Sequence, residues 1–361
     1  MVTLIFTALA LTVFLEKASN DLIVEAREAD TRRLRQEAYS ALETTLAVLE
    51  QFRAASGGLH TPAEGWADPL GFAAYVPADG RTIDVVFEDE SGKLSLPQAG
   101  ANQLQNLFVA WAFSLNDAEK LADALLGWTK KNHTYTTAIS PDYEHAALPY
   151  AAPQRSLRTY GELAAIDYVR TVFFDESGRP NDFYRRFNES VSLFSFRQTN
   201  INGAKPDVLT AIGEFDDTQK SKLGDYLAGT GQSALTGPAW FTATADARKF
   251  LGSTGRANQF GATISALRIR LTVHDGRAEY RLNAVVSPQG GGATTVLTTA
   301  TTTRANASDD QAARAADVSA SKPTTTPTSA ATAAAPRLNY PFTILSLTEN
   351  EPLPPPPPPP P

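Results

Sequence analysis

Cysteine is absent from this chain of 361 residues. The absence excludes disulfide frameworks, thiolate zinc sites and cysteine nucleophiles. The histidines are few and scattered, without the spacing of a metal-binding pair: His60, His133, His145 and His274. The sequence also lacks a nucleophile elbow, a P-loop and a dinucleotide-binding fingerprint, so no residue set indicates catalysis. We therefore predict that the protein is not an enzyme and that it needs no cofactor.

Basic charge is not in excess. The 32 Lys and Arg residues are outnumbered by 39 Asp and Glu residues, which gives a net charge of −7. Broad binding to a phosphate backbone requires a basic patch, and none of that size is visible. The balance disfavours nucleic acid as a partner.

Glycine and proline are missing from residues 1–56, although the whole chain contains 23 glycines and 24 prolines. An uninterrupted run of this length predicts one helix about 80 Å long that ends at Gly57. Its first part, MVTLIFTALALTVFL, carries no charge and needs lipid or a bundle of similar helices around it. The residues expected in the membrane, or in the core of a filament, are Leu4, Ile5, Phe6, Leu9, Leu11, Val13, Phe14 and Leu15.

The apolar opening has three interpretations. A secretory signal peptide would need a basic start, but no Lys or Arg precedes Leu15. A full membrane span needs about 20 apolar residues, which is more than this run provides. We prefer the third interpretation, a span whose beginning is missing from the sequence.

The second part of the helix is amphipathic. Apolar residues recur at spacings of three and four, which places them on one stripe that needs a globular partner: Leu34, Leu42, Leu46, Leu49 and Phe52. The opposite face is expected to be solvated, with Arg32, Arg33, Arg35, Glu37, Glu43 and Glu50. The helix is therefore apolar at one end and attached to a folded head at the other.

Short strands and helices alternate along the rest of the chain. Strands are predicted at 72–76, at 82–88, in the KLSL segment and at 239–245, and helices lie mainly between residues 100 and 237. Residues 262–286 form a hairpin in which Leu267, Ile269 and Leu271 share the covered face. From residue 288 to 361, Thr, Ala, Ser and Pro predominate, which predicts a disordered tail, with a short strand or docking segment possible at 338–347.

The segment TNINGAKPDVLTAIGEFDDTQKSKLGDYLAG resembles a helix-hairpin-helix module. In nucleic-acid proteins the hairpin holds a phosphate, but here Glu214, Asp216 and Asp217 would repel one. An alternative function nevertheless rests on this segment. In that alternative the chain is a membrane-tethered module that binds nucleic acid or another extracellular polymer.

The same segment also belongs to a longer order of motifs. The long helix is followed by GKLSL, LADALLGW, PDYEHAALPY, SLRTYGELAAI, NINGAKPDVLTAI, AWFTATADA and a hairpin that ends in RLNAVV. This order is similar to that of the type II secretion minor pseudopilins of the general secretion pathway protein K family, over residues 2–286.

The resemblance implies an α+β pseudopilin fold, in which the long N-terminal helix packs on a small antiparallel sheet with a large helical insert. The implied domains are the helix at 1–56, the α/β domain at 57–99 and 238–287, the insert at 100–237 and the tail at 288–361. The implied function is to initiate or cap the tip of the pseudopilus for protein export across the outer membrane. The implied partners are the I-type and J-type minor pseudopilins and the inner-membrane secretion platform. The implied location is the inner membrane, with a single span and the head in the periplasm.

Two departures from the family affect its sites. A prepilin leader is absent, so the cleavage site cannot be read. The aspartate-rich stretch around the tryptophan is here Gly127-Trp128-Thr129-Lys130, which leaves Asp142 and Glu144 as the candidate calcium ligands. Calcium takes six to eight oxygens. The competing interpretation is that Asp142 is simply a loop residue after Pro141.

Overall fold

The computed structural model describes residues 2–78, 80–139, 141, 143, 149–237, 239–252, 256–295 and 341–351. Helix α1 (Val2–Ser56) is a single helix of 55 residues, as the lack of glycine and proline predicted. It ends at Gly57, which has a positive φ of 75°. Among the described residues, no helix has an apolar stretch long enough to cross a bilayer.

After α1 come a short helix, a long strand, a block that contains most of the other helices and, last, the remaining long strands. The helices are α2 (Pro69–Phe72), α3 (Ala101–Ala110), α4 (Leu115–Thr129), α5 (Asp167–Phe173), α6 (Asp182–Ser190), α7 (Pro206–Gly213), α8 (Asp217–Ala228) and α9 (Thr244–Leu251). The strands are β1 (Arg81–Asp89), β2 (Leu94–Ser95), β3 (Val191–Ser192), β4 (Thr199–Asn200), β5 (Phe260–Gly261), β6 (Leu267–Asp275), β7 (Ala278–Pro288) and β8 (Phe342–Glu349).

The main sheet is antiparallel and has the order β1-β6-β7-β8. Helix α1 packs on one face, because the alternating apolar residues of β6 and β7 lie on that side. We call the resulting cluster the rod–sheet core. Its buried members from the strands include Leu267, Ile269, Leu271, Val273, Leu282, Ala284 and Val286. The predicted architecture of a long helix on a small antiparallel sheet is thus confirmed.

The helical block is inserted in what would otherwise be a hairpin. Asp89 at the end of β1 lies opposite Leu267 at the start of β6. Residues 90–266 connect these two paired positions and lie outside the main sheet. A second cluster of buried residues, the helical core, extends from Leu94 to Ala262. The insert therefore begins and ends outside the predicted limits of 100 and 237.

Two predicted strands are wrong. The strand predicted at 72–76 does not form: Phe72 is the last residue of α2, which Asp68 caps by accepting a hydrogen bond of 2.9 Å from Gly71 N, and Ala73 and Ala74 form a turn in which Ala74 has a positive φ of 50°. Residues 239–243 are irregular, with bends at Thr242 and Ala243, and pair with no described strand, and helix α9 begins at Thr244. The KLSL segment contributes only β2, which pairs with β3 instead of joining the main sheet.

The prediction of a disordered tail at 288–361 is wrong in part, and the short strand allowed at 338–347 is present at 342–349. Strand β8 pairs with β7 from Phe342 opposite Pro288 to Glu349 opposite Leu282. Phe342 is buried in the rod–sheet core, which explains how so short a segment is held. Residues 296–340 and 352–361 lie outside the described residues.

Candidate assembly surfaces

The N-terminal half of α1 exposes its apolar side chains. Phe6 and Phe14 are both 67% exposed, and Leu11, Val13 and Leu15 are each more than half exposed. The side chains of Leu4, Ile5 and Leu9 lie outside the described residues. The exposure continues through Leu22, Ile23 and Val24, beyond the uncharged opening. Because this surface is not covered by the rest of the described chain, it is available to lipid or to other subunits.

The C-terminal half of α1 buries the stripe. Leu34, Leu42 and Leu46 are each 4% exposed and Leu49 is fully buried, all within the rod–sheet core. Phe52 is half-buried, and its ring centroid lies 5.2 Å from that of Phe72. Each buried leucine stabilises the docked helix by about 1.5–3 kcal/mol. The small residues Ala38 and Ala41, which are also fully buried, let the helix approach the sheet closely.

Polar contacts attach α1 to the C-terminal strand. Arg35 lies 2.8 Å from a carboxylate oxygen of Glu349, and the Tyr39 hydroxyl donates a hydrogen bond of 2.6 Å to the same oxygen. The Arg35 guanidinium and these hydrogen bonds lower the pKa of Glu349 to about 2. We call this group the C-terminal clamp. Sequence reasoning missed it, because its two sides are separated by more than 300 residues and the tail was predicted to be disordered.

A second polar contact attaches α1 to β1. Glu37 accepts a hydrogen bond of 2.8 Å from the Tyr75 hydroxyl and pairs with Arg81 at 3.2 Å. The side chains of Glu37 and Arg81 are 12% and 13% exposed, so this pair is largely shielded from water. The face of α1 that was expected to be solvated thus contributes both Arg35 and Glu37 to attachment of the head.

Asn200, in the Asn-x-Asn motif, joins the insert to the sheet. Its side-chain amide donates to His60 O at 2.9 Å and to the Asp89 carboxylate at 2.7 Å. Burial raises the pKa of Asp89 to about 6, while hydrogen bonds from Ser91 and Asn200 oppose that shift. Asn202 continues the joint, since its amide donates to two backbone carbonyls on the far side of the insert. We call these contacts the asparagine joint.

An ionic cluster lies beside this joint. Glu90 is fully buried and accepts a hydrogen bond of 2.6 Å from Arg268 Nε, and Lys93 lies 3.2 Å from the same carboxylate. Lys93 also lies 2.6 Å from Glu88. The neighbouring glutamates raise the pKa of Arg268 against the opposing effect of burial. Together the joint and the cluster fix the direction in which the insert leaves the sheet.

The helix-hairpin-helix segment has the predicted helices, α7 and α8, but not a phosphate site. Asp216 caps α8 by accepting a hydrogen bond of 2.8 Å from Gln219 N. Glu214, in the left-handed conformation after α7, lies 3.0 Å from Arg256. The hairpin therefore presents carboxylates where a nucleic-acid module would present backbone amides to an anion.

The calcium candidates Asp142 and Glu144 lie outside the described residues. Within the part of the chain that the structure describes, no three His, Cys, Asp or Glu side chains come together in a geometry that could hold a metal ion. The buried carboxylate of Asp123 in α4 is already occupied by protein donors. It accepts bonds from both the backbone and the hydroxyl of Thr136 and of Thr137, and it contacts His133 at 2.8 Å.

Comparison with known proteins gives one family match. The family described as type II secretion system (T2SS), protein K, matches residues 86–175, from within β1 to just after α5. A chain in the crystal structure of the GspK-GspI-GspJ complex from the enterotoxigenic Escherichia coli type 2 secretion system is similar at 14% identity and a TM-score of 0.49. That similarity covers 72% of this chain and 94% of the other. Comparison with curated proteins found no match.

Proposed function

We propose that this chain, whose residues 86–175 match the family model of type II secretion protein K, is the minor pseudopilin at the tip of the pseudopilus. In this role it initiates or caps the filament for protein export across the outer membrane, and it catalyses no reaction. The observation that carries the proposal is the shape of the chain. One uninterrupted helix bears a four-stranded sheet, and a helical block with its own core is inserted between two paired strands of that sheet.

The exposed half of α1 supplies the anchor. Its apolar side chains fit the hydrocarbon of the inner membrane before assembly and the bundle of neighbouring rods afterwards. The head then lies in the periplasm. The buried stripe and the C-terminal clamp transmit force between rod and head, because they attach α1 to three strands of one sheet.

The insert restricts the chain to the filament end. It leaves the sheet between two paired strands and is oriented by the asparagine joint, so the added width is fixed relative to the rod. A subunit stacked above it would meet this block in place of the narrow head of a shaft subunit.

The proposed partners are the I-type and J-type minor pseudopilins and the inner-membrane secretion platform. The structure of similar architecture is that of a complex of GspK with GspI and GspJ. Co-expression of the full chain with both partners, followed by purification in mild detergent, should yield a ternary complex. Absence of any complex with either partner would contradict the proposed assembly role.

A deletion tests the restriction to the tip. Asp89 and Leu267 are paired neighbours, so a two-residue Asn-Gly turn can replace residues 90–266 and leave the antiparallel pair β1–β6 connected. In cells that assemble long pseudopili, gold labelling should place the full chain at filament ends and the shortened chain along the shaft. If the shortened chain also stays at the ends, the width of the insert is not what restricts it.

A further inference from the structure

A pocket of about 440 Å³ lies in the insert, where α8, the AWFTATA segment and α9 meet. Sites that hold small ligands have volumes of about 300–1,000 Å³ and combine an apolar lining with a few polar groups. This pocket has that composition, since aromatic rings form most of its wall and two charged side chains join them. We call it the aromatic pocket.

Three rings form a wall that is built before any ligand arrives. The Tyr226 ring lies 4.7 Å from that of Phe241 and 4.6 Å from that of Phe250, and the two phenylalanine rings are 5.5 Å apart. The backbone also holds the wall together, because Ala239 N donates a hydrogen bond of 3.2 Å to Tyr226 O. Lys222 belongs to the same wall, since its ammonium lies over the Phe250 ring and donates to Phe250 O at 2.8 Å. A preformed wall loses little conformational freedom on binding.

Trp240 adds a fourth ring to the lining of the pocket. The other tryptophans, Trp66, Trp111 and Trp128, are at most 5% exposed, whereas Trp240 is only half-buried. Within the part of the chain that the structure describes, the Trp240 ring contacts no other ring and its indole N–H makes no hydrogen bond. It therefore offers a ligand an apolar face and a free donor at its edge.

Two opposite charges line the pocket from α9. Asp246 and Lys249 are three residues apart on this helix, and both are exposed. At the same spacing in α8, Asp217 and Lys220 form an ion pair of 2.8 Å. Neither the Asp246 nor the Lys249 side chain forms an ion pair or a hydrogen bond with any described residue. One acceptor and one donor therefore remain available beside the rings.

These two charges select the class of ligand. A quaternary ammonium would be repelled by Lys249, a phosphate would be repelled by Asp246, and a purely apolar ligand would leave both charges without a partner. A pyranose sugar is neutral, has C–H groups on its faces and carries hydroxyls at its edge. Its faces can lie on aromatic rings, whose negative π surfaces attract the C–H groups. Its hydroxyls can donate to Asp246 and accept from Lys249.

We propose that the aromatic pocket binds a neutral pyranose unit of a glycan. The sugar face lies on the Trp240 ring, and the hydroxyls are held by Asp246 and Lys249. This inference goes beyond the proposed tip function and does not depend on it. It gives the insert a binding role in addition to its width.

Fluorescence quenching of the wild-type chain tests the proposal without any variant. The full chain is studied in a detergent that has no sugar headgroup, and acrylamide quenches mainly Trp240 because the other tryptophans are buried. The tetramer of N-acetylglucosamine or cellotetraose should shield Trp240 from acrylamide, with a Kd of about 1 mM or below. A response to the acetylated tetramer alone assigns the site to an N-acetylated glycan, and a response to cellotetraose shows that the acetamido group is not needed.

Variants place the sugar in the pocket, with calorimetry as the readout. Trp240→Ala should bind the responding tetramer at least about tenfold more weakly, and Asp246→Asn about threefold to tenfold more weakly. Two matched controls should bind within about twofold of wild type. They are Phe72→Ala, at a ring that is 56% exposed outside the insert, and Asp182→Asn, at a carboxylate paired with Arg185.

Three results would overturn the sugar site. They are a wild-type chain that binds neither tetramer at about 10 mM, a Trp240→Ala variant that binds as tightly as wild type, and shielding of Trp240 by tetramethylammonium but by neither sugar. Each of these results leaves the tip function standing, because that function is tested separately by the ternary complex.

Discussion

The rod–sheet core and the helical core are assembled from the chain in opposite ways. The helical core draws all its buried members from one continuous stretch, Leu94 to Ala262, and it is rich in aromatic rings such as Phe108, Phe173 and Phe187. The rod–sheet core combines the stretch from Leu34 to Leu70 with residues from Ile264 onward, and it is completed by Phe342. The helical core can therefore form from contacts within its own stretch, whereas the rod–sheet core requires both ends of the chain to meet.

The largest loss of stability should come from a charged side chain buried in one of the two cores. Leu271 is 1% exposed in β6, and Leu271→Asp places a carboxylate against α1, at a cost of about 4 kcal/mol or more. If the cores are separate, the rod–sheet core unfolds and the helical core stays folded. Calorimetry should then show a second transition at lower temperature, while the near-UV signal of Trp111 and Trp128 is retained.

The mirror variant is Leu125→Asp in α4, at a fully buried position of the helical core. It should remove the near-UV signal of Trp111 and Trp128, while the signal of Trp66 in the rod–sheet core and the protection of β6 and β7 amides stay intact. A single transition shifted equally by both variants would show that the two cores unfold as one.

A smaller loss of stability is expected from a change in the asparagine joint, which connects the two cores. Asn200→Ala removes the donor to His60 O and to Asp89, leaving buried acceptors unpaired at a cost of about 2–3 kcal/mol. Urea unfolding should show this loss of stability. The rod–sheet core and the helical core should then unfold at more widely separated urea concentrations. The exposed Asn116 provides the matched control, since Asn116→Ala should change stability by less than about 0.5 kcal/mol.

The smallest effect should come from the C-terminal clamp, which is partly open to water. The pKa of Glu349 is lowered from 4.5 to about 2, so its charged form stabilises the fold. This contribution is fully present above pH 4.5 and is lost as the pH falls towards 2. Glu349→Gln should lower the Tm by about 2 °C at pH 7, and the difference from wild type should vanish near pH 2. A difference that stays constant with pH would assign the effect to something other than the Arg35 pair.

Sequence patterns identified the elements whose signals are local. The lack of glycine and proline predicted α1 to its last residue, and alternation in 262–286 predicted the hairpin of β6 and β7. The resemblance to a helix-hairpin-helix module predicted two consecutive helices, which are α7 and α8. Where competing local signals were present, the prediction failed. At 72–76 the capped end of α2 and the left-handed turn at Ala74 outweighed the β-forming side chains.

The segment AWFTATA has strand composition but no strand partner. The backbone amide of Phe241 instead donates a hydrogen bond of 2.9 Å to Asn202 Oδ1, and the Phe241 ring stacks on the Tyr226 ring at a centroid distance of 4.7 Å. Such contacts depend on residues some 15 to 40 positions away, so a window along the chain does not contain them. The exposed half of α1 was predicted from its uncharged residues, but its proposed roles in membrane and filament depend on partners outside this chain.

The sequence by itself determined the rod, its apolar opening and its buried stripe, because each depends on residues three or four positions apart on one helix. Tertiary structure alone decided which strand closes the sheet, which acid holds Arg35 and where the insert begins, because those contacts join positions separated by about 50 to more than 300 residues. The fourth strand of the sheet also belongs to this second group, because β8 comes from a low-complexity tail and pairs with β7 only in the folded chain.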